Sequence, residues 1–236
     1  MEANLLCIEI DLIRFQMNRI LICLLLFSLS TAAQELKDFR SPAGYQLIKE
    51  LSGDLDKDGI SEVAFVYNTT KLSADYGYDR VLYICKKIGG KLKLWKENRS
   101  VLWRSKDCGF FADEGVPLDI LIKNNTLIIT QTFNHNTRRQ SSYKDIFRYQ
   151  KEDWYLIGAT HHFYDNCEYN YDYDINFSTK KVHIKKEFDS CDENASEPED
   201  DEYNFTYSFK GIPKMDGFIP GKTEVKMTNP KMNFYY

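Results

Sequence analysis

Residues 53–66 read GDLDKDGISEVAFV and place four carboxylates, Asp54, Asp56, Asp58 and Glu62, within nine positions. Like charges at such short range repel, so a chain gains by crowding them only where a positive partner offsets the repulsion. The chemistry that suits this set is coordination of a hard cation. Calcium takes oxygens from several carboxylates and backbone carbonyls on a tightly curved chain. Alternate residues of a turning loop, here Asp54, Asp56 and Asp58, point inward together, and Gly59 follows where a sharp bend is needed. The carbonyl of Ile60 and the carboxylate of Glu62 complete the expected ligand set. The expected cofactor is therefore Ca2+. An EF-hand would carry a bidentate Glu at its last ligand position between two helices. Phe65 stands there instead, and both flanks read as strands. The same stretch also suits an Asp-rich turn without an ion, because Asp and Gly are favoured in turns on their own account.

A strand, a DxDxDG loop and a second strand over about residues 45–67 resemble the calcium hairpin of the FG-GAP or integrin-propeller type. The resemblance implies Asp54, Asp56, Asp58, Ile60 through its carbonyl, and Glu62 as ligands. It does not imply a propeller. SPAGYQLIKELSG stands where the Phe-Gly and Gly-Ala-Pro signatures belong, and the loop occurs once. Over about residues 45–162, with FRYQKEDWYLIGAT, the chain is also similar to a group of exported bacterial proteins of unassigned activity.

Other chemistry is sparse. His135, His161, His162 and His183 are the only imidazoles, and none falls in an HExxH pattern. His161 and His162 are neighbours in a strand-like run, so they point to opposite faces and do not share a metal. No GxSxG, P-loop or dinucleotide fingerprint occurs. The chain is not expected to be an enzyme. FYDNCEYNYDYD, residues 163–174, interleaves Tyr164, Tyr169, Tyr171 and Tyr173 with acids. It reads as a core edge first, and as a sugar-stacking surface second. Arg138 and Arg139 lie in a polar loop suited to solvent or to an acidic partner.

The elements that must carry these residues read as sheet. Short apolar alternations are separated by turn residues, and no stretch sustains a helical period. Hairpin turns are expected at Gly89–Gly90, at Asn124–Asn125 and near Glu152–Asp153. The fold expected is all-β, an antiparallel meander of nine to eleven short strands in one domain, sandwich-like or partial-propeller-like, with few helices. Residues 34–44 and roughly the last fifteen look irregular.

The N-terminus reads as a targeting signal. Met17, Arg19, an apolar run from Ile20 to Leu29 and small residues ending at Ala33 make the three parts of a secretory signal peptide over residues 17–33. The run is too short for a stable membrane span. Glu2, Glu9 and Asp11 do not suit a signal, so residues 1–16 read as a non-native extension with Met17 the true start. Residues 34–236 then form the exported domain, periplasmic or extracellular. Cys85, Cys108, Cys167 and Cys191 permit two disulfides, with neighbour pairing expected. Two free, buried thiols are the alternative, and the absence of CxxC argues against zinc.

The chain holds 31 Lys and Arg against 35 Asp and Glu, a net charge of −4. Nine of the acids crowd into residues 187–202, which contain no Lys or Arg, so an acidic loop sits on a mildly basic body. Such a run is ordinarily a solvated loop; a second cation site or a docking strip is the alternative. No dominant basic face is in view, so nucleic-acid binding is not expected. These features suggest an exported calcium-binding β-protein whose metal is structural and whose work is to bind a protein or glycan partner. An inhibitor or immunity-type protein using the acidic loop, or a carbohydrate-directed protein, is the alternative.

Overall fold

Alternating apolar residues and tight polar turns commit the chain to hairpins, and the hairpins build the whole molecule. The computed structural model describes residues 35–110, 118–192, 194 and 196–236. The expected extension (1–16) and signal peptide (17–33) lie outside the described residues. Strands β1 (Gln46–Gly53), β2 (Glu62–Ser73), β3 (Gly77–Ile88) and β4 (Lys91–Asn98) form a four-stranded antiparallel sheet in chain order. Strands β5 (Leu118–Lys123), β6 (Thr126–Asn134), β7 (Arg139–Gln150), β8 (Asp153–Asp165), β9 (Tyr169–Asn176), β10 (Lys181–Phe188) and β11 (Asp201–Thr206) form a seven-stranded one, also in chain order. The all-β meander expected from the sequence is thus the fold, neither main sheet closes into a barrel, and residues 37–236 form one compact unit.

Two-residue turns with both residues at positive φ match the twist of the strands they join. Gly89 and Gly90 do so at 59° and 75°, and Asn124 and Asn125 at 52° and 56°. The third turn falls one residue earlier than expected, on Lys151 and Glu152 at 49° and 62°, with Asp153 opening β8. Neither residue advertises left-handed backbone, so the register of β7 against β8, rather than turn chemistry, sets that boundary.

The inner faces of the two sheets share one core. Ala64, Val66, Leu82 and Ile84 of the small sheet pack in the same cluster as Leu127, Ile129, Phe147, Leu156, Ile175 and Ile184 of the large one. Trp95 of β4 meets Tyr149 and Trp154 edge-on at 4.4 and 5.1 Å, tying the two sheets together. The arrangement is sandwich-like. The small sheet is apolar on its outer face too, where Val63, Phe65, Tyr67, Val81, Tyr83 and Cys85 form a second cluster under Phe39 and Tyr45. This is why β2 reads as an unbroken apolar run.

Two expectations need correction. The terminal segments are irregular in backbone, as expected, with an isolated bridge at Asp38 and the two-residue strands β12 (Glu224–Val225) and β13 (Phe234–Tyr235), which pair; yet they are packed, Phe39 stacking on Phe65 at 5.3 Å. Phe234 is fully buried against Phe205, Tyr207 and Phe209, so aromatic burial anchors a tail that prolines made look loose. Cys167 and Cys191 form a disulfide, as expected, whereas Cys85 and Cys108 are buried thiols that form none. Cys85 faces the outer cluster, and Cys108 acts electrostatically on Arg80, five residues along β3 and on its opposite face. Burial pushes the Cys85 thiol up to about 12. The acidic run is also shorter as a loop than expected: its ends belong to β10 and β11, leaving residues 189–200 between them.

Candidate metal centre

The GDLDKDG loop joins β1 to β2, and its closing pair, Gly53 opposite Glu62, is the last rung of their ladder. Leu55 plugs into the core at 1 % exposure, so the loop is anchored from below, with Asp58 exposed and Asp54 and Asp56 partly buried. Lys57 and Gly59 take positive φ, at 70° and 82°. That pair of reversals curls the chain around the carboxylates. Asp54 accepts the N–H of Lys57 at 2.6 Å and of Gly59 at 3.2 Å; Asp58 accepts that of Ile60 at 2.7 Å; Asp56 accepts that of Asp58 at 3.3 Å.

The result is convergence. One carboxylate oxygen from each of Asp54, Asp56 and Asp58 lies within 4.8 Å of the others. Oxygens on opposite sides of a calcium ion stand about 4.6–5.2 Å apart, and around magnesium about 4.0–4.2 Å. The donors are all hard oxygens, so the residues present fit calcium. They are the sole group of three or more potential acid, His or Cys ligands to converge among the described residues.

Glu62, also expected as a ligand, is placed differently. Glu62 is 1 % exposed and its carboxylate accepts the N–H of Leu55 at 2.8 Å, beneath the loop and outside the converging trio. Burial pushes its carboxyl above the usual range, the Leu55 N–H opposes this, and the Asp56 charge adds to it. Ile60 contributes its N–H to Asp58 and leaves its side chain half exposed.

Two partners of the loop escaped the sequence reading. The Lys86 ammonium pairs with Asp56 and sits 4.3 Å above the Trp95 ring. Asn125, in the β5–β6 turn, donates its side-chain N–H to the Asp54 carbonyl at 2.9 Å. They lie 30 and 71 residues from their partners, so no local spacing signals either one. Burial depresses Lys86, but its bond to Asp56 and the charges of Asp56, Glu62 and Asp58 outweigh this and hold it above the usual lysine range.

The remaining candidates resolve into structure. Tyr173 is buried, and Tyr169 and Tyr171 stack on one another along the same inward parity, while Tyr164 faces out beside His162. Arg138 and Arg139 are taken up within the chain by Asp165 and Glu168, at 2.5–3.2 Å. His161 is fully buried, whereas His162 pairs with Asp172 at 2.8 Å on the opposite face. His183 meets Glu202 at 3.0 Å. The acidic segment is pinned at Cys191 to the β8–β9 turn, with Asp201 held by Lys231 at 3.0 Å. Among the described residues no helix is long and apolar enough to cross a membrane. Comparison with family models, curated proteins and solved structures returns no match, so the reading of the site rests on its own geometry.

Proposed function

We propose that the protein is an exported calcium-binding β-protein of the FG-GAP-like loop type, in which the ion is structural and braces the β1–β2 hairpin for binding another macromolecule, a protein or a glycan. The observation that carries this reading is the convergence of hard oxygens from Asp54, Asp56 and Asp58 within 4.8 Å of one another on a loop curled by its own N–H groups. Without the ion, the Lys86 ammonium is the nearest positive charge paired with the trio, and it offsets part of the repulsion. With the ion bound, the repulsion among the aspartates becomes attraction. Glu62, outside the trio, completes the shell across a water through the carboxylate oxygen that the Leu55 N–H leaves unused. A disulfide at Cys167–Cys191 fits the oxidising compartment that export implies.

An ion that binds only the folded form stabilises it by mass action. Titrating calcium into chelator-stripped protein should therefore raise the melting temperature, and Asp56→Ala should abolish the rise. An unchanged melt in the wild type rejects the reading.

A second reading has its own support: residues 189–200 are strongly acidic, those of them that are described are largely exposed, and the segment is fixed at one point by a disulfide, as a strip for docking a basic enzyme would be. In that case neutralising Asp189, Asp192, Glu197 and Glu199 abolishes partner capture without lowering the melt.

A further inference from the structure

The inner face of the large sheet carries an anomaly that the calcium loop does not explain. Asp145 of β7 and His161 of β8 are 1 % and 0 % exposed, and both Asp145 oxygens and both His161 nitrogens lack a hydrogen-bond partner. Buried polar atoms in native proteins are nearly always satisfied by protein or by ordered water. His161 Nε2 and Asp145 Oδ1 face each other at 4.0 Å, too far for a direct hydrogen bond. A water oxygen about 2.8 Å from each atom would subtend roughly 90° between them, close to the angle at which a water donates and accepts.

The polar residues around the pair form a line. Ser141, Tyr143 and Asp145 occupy successive inward positions of β7. His135 Nε2 lies 2.7 Å from Ser141 Oγ, Tyr143 follows Ser141 on the same face of β7, and the Tyr143 ring meets that of His161 at 4.5 Å. The line leads from the exposed loop at His135 to the buried pair. Burial pushes the Asp145 carboxyl up to about 8 and His161 down to about 3. At neutral pH both are uncharged, and each then offers a donor and an acceptor to a neutral guest.

We propose that the gap between His161 and Asp145 is an internal hydration site, in which one water bridges Nε2 and Oδ1 at the inner end of the His135–Ser141–Tyr143 line. A metal ion is the poorer guest: the gap presents two ligands, and among the described residues no third acid, His or Cys converges on it. A water with two protein partners needs no third.

The test is a high-resolution crystal structure of the protein at neutral pH, paired with oxygen-17 water relaxation dispersion in solution. The expected result is one density peak of water strength within hydrogen-bond distance of both atoms. In solution, the double variant Asp145→Leu, His161→Phe should lose one long-lived internal water relative to the wild type. A direct Nε2–Oδ1 hydrogen bond, a dry gap or a peak of metal strength would overturn the proposal, as would an unchanged count of long-lived waters. If the double variant does not fold, the wild-type density decides alone.

Discussion

The Asp54–Asp58 loop and the Asp145–His161 pair handle the same side chain in opposite ways. At the loop, three aspartates, two partly buried and one exposed, converge where water, backbone N–H groups and Lys86 keep charge affordable. In the core, one aspartate faces one histidine with no hydrogen-bond partner for either, and burial removes the charge from both. Charge is concentrated where bulk solvent and a counter-ion can meet it, and is surrendered in the core, where a single neutral water is the proposed guest. The two sites should therefore answer to different variables: the loop to calcium, the core pair to pH.

The largest expected effect separates them directly. Calcium at about a hundred times its dissociation constant should add about 2.7 kcal/mol of stability, which raises the melting temperature by roughly 5–10 °C for a domain of this size. Asp54→Ala should erase that rise, whereas Asp145→Asn should leave it intact, as read by calorimetry with and without chelator. Equal loss in both variants would show that the regions are one cooperative site.

Next in size is the pH response of the core pair. The folded Asp145 holds its proton to about 8 against an ordinary 3.8, so its contribution to stability is greatest in acid and is lost as pH rises toward 8. The folded His161 stays neutral down to about 3 against an ordinary 6.5, so its contribution is lost as pH falls below 6.5. The opposing slopes cancel between about pH 4 and 6.5, and only the Asp145 slope remains from there to 8. Denaturant unfolding should show a fall on the order of 2 kcal/mol over that last interval, and Asp145→Asn should flatten it.

Two smaller effects sharpen the description of the loop. A Cβ at Gly59 would meet nothing within 4 Å, so Gly59→Ala tests backbone alone at a φ of 82° and should cost about 1 kcal/mol in chelator. Lys86→Met should cost up to ~1 kcal/mol in chelator and yet tighten calcium binding, because it removes a competing cation from Asp56. Trp95, directly beneath the ammonium, should report calcium binding by a fluorescence change that the Lys86→Met variant lacks.

How much was legible beforehand depended on whether a signal is local. Period-two alternation and the Gly89–Gly90 and Asn124–Asn125 turns announce their hairpins, because strand pairing between chain neighbours is written within a dozen residues. The DxDxDG spacing likewise foretells the converging trio, since the loop closes on itself. The Cys85–Cys108 pairing failed because proximity in sequence says nothing about which face of β3 a thiol occupies. Lys86, Asn125 and the Asp145–His161 opposition were invisible for the same reason.

By itself, then, the sequence determined the strand pattern, the two glycine- or asparagine-built turns and the crowding of Asp54, Asp56 and Asp58, all consequences of side-chain period and backbone preference over short range. Only the tertiary structure decided which aspartates keep their surroundings wet and which is sealed in the core, and which lysine lies over the loop. Those outcomes depend on how two sheets stack and on strand register across many residues, where burial and long-range contact replace local propensity.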